Sequence, residues 1–309
     1  MTSASPNGPA AAHTISARDY FIPDVFRERV HLHVLKNYFA TFIRPSLILA
    51  IQGPAGCGKS FQALRACEDR AINVVTLSGA ALSGEREHDP VRVLFEAYGR
   101  ASEEGQKKER PSALLIDDFH LSAAATYGTR QYTVNTQLLI GALMNLADHP
   151  DVCGQKTVTR TPIIATGNDF TTLYQPLIRH GRVDVFDWHP NSEMILPVLR
   201  KIYSLVLRED ETDRLSELVA AHPDESIAFF VALRGRLMDG PLLDLLRTGG
   251  KLSVASCKEA VKKCRRSFTV DDLLAGQTNS ERRGPGTTFK CHPGKENDNG
   301  TQHQRETKC

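Results

Sequence analysis

The sequence predicts an α/β fold, a nucleotide-binding core on a parallel sheet followed by a smaller helical domain. Three observations carry this. The apolar run Leu47–Ile51 passes through a glycine-rich loop, Gly53–Ser60, into a helical pattern. Two further apolar runs, 113–116 and 162–166, end in small or acidic polar residues. Beyond residue 190 only helical patterns remain before a polar tail. Runs that are apolar throughout, rather than alternating, are strands covered on both faces. The expected divisions are a disordered lead (1–18), an α/β core (19–190), a helical lid (191–275) and a disordered tail (276–309).

Composition narrows the classes. The chain has 309 residues, 41% of them apolar, which suits one large domain or two modest ones. Lys and Arg number 38 against 36 acidic residues. With so even a balance, and neither a basic stripe nor a helix-turn-helix pattern, no nucleic-acid partner is expected. No apolar run reaches membrane length, so no membrane partner is expected either. Seven cysteines include no CxxC pair and no zinc spacing, which reads as reduced thiols in a cytoplasmic compartment. Cys257 and Cys264, seven apart, read as core or surface residues rather than a redox pair.

Met1–Ala12 is small and polar, with neither the apolar region nor the basic flank of a secretory signal. Pro23 fits a helix start, and Phe26, Val30, Val34 and Phe39 mark an amphipathic helix, imperfectly spaced. Tyr20, Phe21 and Ile22, just before it, read equally as an adenine pocket or as ordinary packing. His31 and His33 would point apart and are not read as metal ligands.

Gly53, Pro54, Ala55, Gly56, Cys57, Gly58, Lys59 and Ser60 match the phosphate-cradling loop, four free positions between two glycines and then Gly-Lys-Ser. Glycines permit the turn and aim successive N–H groups inward. The helix from Lys59 begins beneath the anion, and Phe61 completes the expected ATP-binding set. Lys59 would reach the β and γ phosphates, and Ser60 would place its hydroxyl on Mg2+.

Ala71–Leu77 reads as a second buried strand. The stretch after it projects toward the pore in a ring ATPase, with Ala81, Leu82 and Ser83 as the tip; the other reading is a plain surface loop. A helix resumes over Val91–Tyr98, and Ala101–Arg110 reads as a solvated link. Ala113–Asp118 is an apolar strand ending in two carboxylates, the usual partner of a phosphate loop. Asp117 would hold magnesium. Asp118 stands where such enzymes carry a Glu that polarises the attacking water. His120 would tune the site, meet a neighbour or face solvent. Residues 123–131 are a candidate second pore-facing loop, and Tyr132–Leu146 a largely apolar helix. Pro162–Asp169 is a strand that would bring the Asn168 amide near the γ phosphate. Arg179 and Arg182 flank a glycine turn and are candidates to reach nucleotide on an adjacent subunit, offsetting charge in the transition state. Such a site requires the enzyme to assemble. Met194–Leu207 reads as a helix bent near Pro197, and residues 211–222 and 228–247 supply more. Arg234, after an apolar face, would fold back onto the phosphates when the lid closes, with Arg236 as the neighbouring alternative.

Together the stretches GKSFQ (58–62), QYTVNTQ (131–137), LMNLADHP (143–150), PIIATGNDFTTLYQPLIRHGR (162–182) and FFVALRGR (229–236) resemble the AAA+ ATPase module of the green-type Rubisco activase family. The resemblance covers about residues 24–247. It implies an AAA+ core with a small helical lid and a homo-oligomer, typically a hexameric ring. It also implies ATP hydrolysis that remodels inhibited Rubisco and releases tightly bound sugar phosphates. Family roles carry to Lys59, Ser60, Asp117, Asp118, Asn168, Arg179, Arg182 and Arg234. Three departures stand out, one of them a reduced or altered substrate-recognition extension in the small domain. The family's acidic strand end typically reads NDLD, and its last carboxylate is here His120. About 20 residues precede the core, where the family carries a longer N-terminal domain. The alternatives are an AAA+ remodeller or chaperone of another client, a nucleic-acid-associated ATPase, and a nucleotide-gated scaffold with little turnover.

Overall fold

The strand that leads into the glycine-rich loop, β1 (Ile48–Gln52), lies inside a five-stranded sheet. In the computed structural model, β2 (Asn73–Ser78), β3 (Ser112–Asp117), β4 (Ile163–Thr166) and β5 (Val183–Asp187) complete that sheet. The order is β2-β3-β4-β1-β5, and every pairing is parallel. The structure describes residues 20–82, 89–119, 134–171, 173, 175–247, 249, 252–264 and 266–274. The expectations for the lead, the tail, Ser83, His120 and residues 123–131 lie outside them.

Both faces of the sheet are covered, which is why its strands carry no polar alternation. On one face Leu49, Ile51, Ala113, Leu115 and Ile164 meet α1 (Asp24–Tyr38) and α2 (Lys59–Asp69) through Phe26, Val30, Val34, Ala63 and Ala66. On the other, Ile48, Ala50, Leu114, Ile116, Ile163 and Ala165 meet α3 (Asp89–Lys108) and α4 (Val134–Asp148). A two-strand hairpin, Val152–Cys153 with Lys156–Thr157, follows α4.

A third apolar cluster belongs to the helices after residue 190. They are α5 (Ser192–Tyr203), α6 (Leu215–Ala221), α7 (Ile227–Leu237), α8 (Asp239–Arg247) and α9 (Val254–Lys263). Asn191 caps α5 by accepting from Met194 N at 3.0 Å, and Pro197 sits within that helix. Leu199, Tyr203, Leu215, Leu218, Phe230, Val270 and Leu273 fill the centre of the cluster.

Four expectations need correction. Residues 101–108 are not a solvated link but the second half of α3. Ala101 and Ser102 are buried there, and Glu103–Lys107 and Glu104–Lys108 pair one turn apart. Leu82 is no exposed tip: it ends a 3-10 turn, Gly79–Leu82, and is buried in the same cluster as Leu77 and Leu94. Phe39 lies beyond the end of α1 and is 59% exposed. The second strand begins at Asn73, because Ala71 adopts a left-handed turn (φ 53°).

Candidate active site

The site is built at the carboxyl ends of β1, β3 and β4, where the loop, the acidic pair and the small polar strand end converge. Gly53 has φ 147°, and a Cβ there would lie 2.1 Å from the Trp188 carbonyl oxygen. That carbonyl cannot retreat easily, because Trp188 N donates to Gln52 O at 2.7 Å. The loop's far side is held by the same tryptophan, whose Nε1 donates to Cys57 O at 3.1 Å. Cys57 is buried, and burial pushes its thiol pKa up against the opposing pull of Lys59. It is a packing residue rather than a nucleophile.

Lys59 is buried, and its Nζ donates to Gly53 O and Pro54 O at 2.8 Å each and to Asn168 Oδ1 at 3.3 Å. The ammonium and the Asn168 amide therefore occupy one corner of the loop. Ser60 Oγ donates to Asp117 Oδ1. The two are oxygen donors on a helix start and a strand end, which suits a hard divalent cation such as magnesium. Asp118 follows the end of β3 and is left-handed (φ 53°), an uncommon state for a residue with a Cβ. Its side chain is exposed.

Sequence reasoning missed Thr166, the last residue of β4, which is fully buried. Its Oγ1 donates to Asp117 Oδ1 at 2.9 Å, lies 3.0 Å from Ser60 Oγ and accepts from Asp118 N at 3.2 Å. One hydroxyl thus links the loop, the expected metal ligand and the backbone of the expected base. The available signal was a hydroxyl ending an otherwise apolar strand. Trp188 and Gln52 were also missed; Gln52 Oε1 accepts from Phe170 N at 2.8 Å beside the same loop.

Phe61 is half exposed and stands edge-on to Tyr20 at 6.0 Å, with the Arg65 guanidinium over both rings. Ile22 packs in the core with Cys57 and Trp188, so of the stretch Tyr20–Ile22 this residue is packing. His31 Nε2 lies 2.6 Å from Ala66 O and His33 Nε2 3.1 Å from Ile163 O.

The lid touches the loop directly. Ala228 N, at the start of α7, donates to Gly56 O at 2.9 Å, and a Cβ on Gly56 would crowd Ser226 and Ala228. Arg234, about 9 Å further along that helix, donates through Nη1 to Ile202 O at 2.9 Å. Its guanidinium is thereby held on the lid's own helices.

Arg179 and Arg182 lie elsewhere. Arg182 immediately precedes β5, and its carbonyl accepts from Ile48 N, at the amino end of the sheet. Five strand residues separate that point from Gly53, about 17 Å. The two arginines border a cavity of about 640 Å³ that also takes in Arg44, Asp148 and Arg160.

Comparison with known proteins identifies the family. Residues 49–190 match the family described as ATPase family associated with various cellular activities (AAA). A protein of Nostoc sp. named ribulose bisphosphate carboxylase/oxygenase activase is 37% identical over 269 residues, covering 82% of this chain and 64% of that protein. Chloroplastic proteins of the same name from Phaseolus vulgaris and Chlamydomonas reinhardtii are 37% and 36% identical, covering 71% of this chain and 51% and 55% of their own lengths. The chain thus spans less than two thirds of the length of these relatives. Among the described residues no helix is long and apolar enough to cross a membrane. The chain belongs to the AAA family of ATPases, in the group that contains the Rubisco activases.

Proposed function

We propose that this chain is a magnesium-dependent ATPase that works as a homo-oligomeric ring, hexameric as the family resemblance implies, and remodels inhibited Rubisco in the cytoplasm. The observation that carries the reading is the convergence of Lys59 with Asn168, and of Ser60 with Asp117 and Thr166, at one end of the sheet. Residues 19–190 act as the nucleotide-binding core and 191–275 as its lid.

The loop 53–60 wraps the phosphates, with Lys59 on the β and γ groups. Ser60 and Asp117 would hold a magnesium ion, which would neutralise charge on the phosphate oxygens. Asn168 and Asp118 orient a water in line with the γ phosphorus, and Asp118 takes up its proton as the bond to the β-bridging oxygen breaks. Products are ADP and phosphate. Arg234 moves onto the phosphates as the lid closes, and the Ala228 N to Gly56 O hydrogen bond ties the lid to the loop that wraps them. Arg179 and Arg182 complete the neighbour's site, because they lie at the opposite end of the sheet from their own loop. No nucleic acid takes part.

The test mixes two inactive proteins. Arg182→Ala subunits keep an intact loop, and Lys59→Ala subunits keep an intact arginine turn. Mixed rings should recover ATPase that neither protein has alone. No recovery at any ratio, with mixed assembly verified, would overturn the shared site. Sugar-phosphate-inhibited Rubisco from the same host should regain carboxylation with this protein and ATP, but not with a non-hydrolysable analogue. An active ATPase that leaves Rubisco inhibited would remove Rubisco as client and leave another protein in its place.

A further inference from the structure

We infer that Asp148, the last residue of α4, is the positioning residue that sets the arginine turn of the shared site. This rests on the proposed arrangement, in which Arg179 and Arg182 act on a neighbour's nucleotide. Arg182 Nε donates to Asp148 Oδ1 at 2.9 Å and Nη2 to Oδ2 at 2.5 Å, a two-pronged pair, while Nη1 donates to Pro176 O at 2.7 Å. Arg179 Nη2 stands 3.7 Å from the same carboxylate. One acid therefore faces both arginines, with Arg44 and Arg160 on the same cavity wall. Hydrogen bonds from Arg182 hold the Asp148 carboxyl below the usual carboxylate range, so it stays ionised through the neutral region.

The consequences for the two arginines differ. Arg182 has only 12% of its side chain exposed and three of its donors engaged within its own subunit. Arg179 is 63% exposed. Asp148 thus fixes Arg182 as the rigid member of the turn and leaves Arg179 the freer donor. A planar fork on a carboxylate fixes direction as well as distance, which a lone point charge does not. The sequence reading passed over Asp148, because an acid at a helix end looks like ordinary surface charge.

The experiment uses the full chain. Asp148→Asn removes the charge with little change of shape. Expected are a kcat lower by about tenfold or more and a KM for ATP within about twofold, since the lost interaction acts in the transition state. Asp148→Glu should restore part of the rate. Asp148→Asn subunits mixed with Lys59→Ala subunits should recover ATPase, as a finger defect does and a general folding defect does not. The double variant Asp148→Asn with Arg182→Ala should be no slower than Arg182→Ala alone, read by radiolabelled phosphate release. A parental kcat for Asp148→Asn, or a double variant slower by the full single-variant factor, would overturn the inference. Failure of Arg182→Ala and Lys59→Ala to complement would instead overturn the shared site, while the double-variant comparison still reads the coupling of Asp148 to Arg182.

Discussion

Replacing Thr166 by Val removes one hydroxyl from the centre of the site and keeps the volume. Two hydroxyl protons, of Ser60 and Thr166, serve three oxygen–oxygen contacts around Asp117. In the variant Asp117 keeps only the bond from Ser60. Asp118 N loses its acceptor at a residue already in the left-handed region. A hydrogen bond to a charged group is worth about 1.5–3 kcal/mol, so a loss of about 2 kcal/mol is expected, because solvent reaches the exposed Asp118 and offsets part of its unmet N–H. For a domain of this size that lowers Tm by roughly 4–8 °C. Turnover should suffer more than stability. A positioned acid–base group contributes about 10²–10⁴-fold, and an Asp118 carboxylate on a loosened backbone should forfeit about tenfold or more of it. Phosphate release at saturating ATP gives kcat, nucleotide titration gives affinity, and a thermal melt gives Tm. Affinity should stay within a few-fold, and Thr166→Ser should restore the rate. A Val variant with parental kcat and Tm would show that the hydroxyl holds nothing that matters.

Asp118→Asn should bind ATP normally and turn over about 10²-fold more slowly or worse; a near-parental rate would move the base elsewhere. Gly53→Ala places a Cβ against the Trp188 carbonyl, so nucleotide titration should find binding lost or severely weakened; retained affinity would refute the tight loop–Trp188 contact. His33 makes stability fall in acid. Burial, opposed by the bond to Ile163 O and aided by Arg29 and Arg160, lowers its pKa from 6.5 to about 3. The folded form keeps the ring neutral while the unfolded chain takes up a proton below 6.5, so stability is lost as pH falls from there toward 3. Linkage gives about 2 kcal/mol between pH 7.5 and 5 from this group, and denaturant titrations of His33→Gln should show a correspondingly flatter dependence. An unchanged slope would mean that His33 does not stay neutral in the fold.

The core strands were legible because a strand covered on both faces leaves a continuous apolar run, as 47–51, 113–116 and 163–165 do. Each also leads into chemistry-bearing residues, which places Lys59, Ser60, Asp117 and Asn168 at one edge from the sequence alone. What stayed hidden depends on tertiary contact. Ala101–Lys108 looks like a polar link because its charges pair one turn apart along a helix whose other side is buried. Leu82 reads as a loop tip because the apolar cluster that buries it, shared with Leu77 and Leu94, forms only in the fold. Thr166 and Trp188 are single residues whose roles come from partners more than 45 positions away. No local pattern marks such a residue, since a threonine ending a strand is ordinary β chemistry.

The parallel sheet fixes where the arginine turn lies relative to the loop. All five strands run the same way, so everything that follows a strand gathers at one edge and everything that precedes one gathers at the other. The loop and Asn168 follow β1 and β4, and Asp117 ends β3. Arg182 precedes β5, and its carbonyl accepts from the first residue of β1. Its guanidinium is held by Asp148, the last residue of a helix that packs over the same sheet. The separation of about 17 Å along the strands cannot be closed by rotating a side chain, and the strands between are buried on both faces. An arginine so placed meets a phosphate only if another copy brings that phosphate to it. On the proposed shared site, the sheet's polarity turns a question of catalysis into one of stoichiometry: a single chain would bind nucleotide, and only a closed ring would give every loop an arginine.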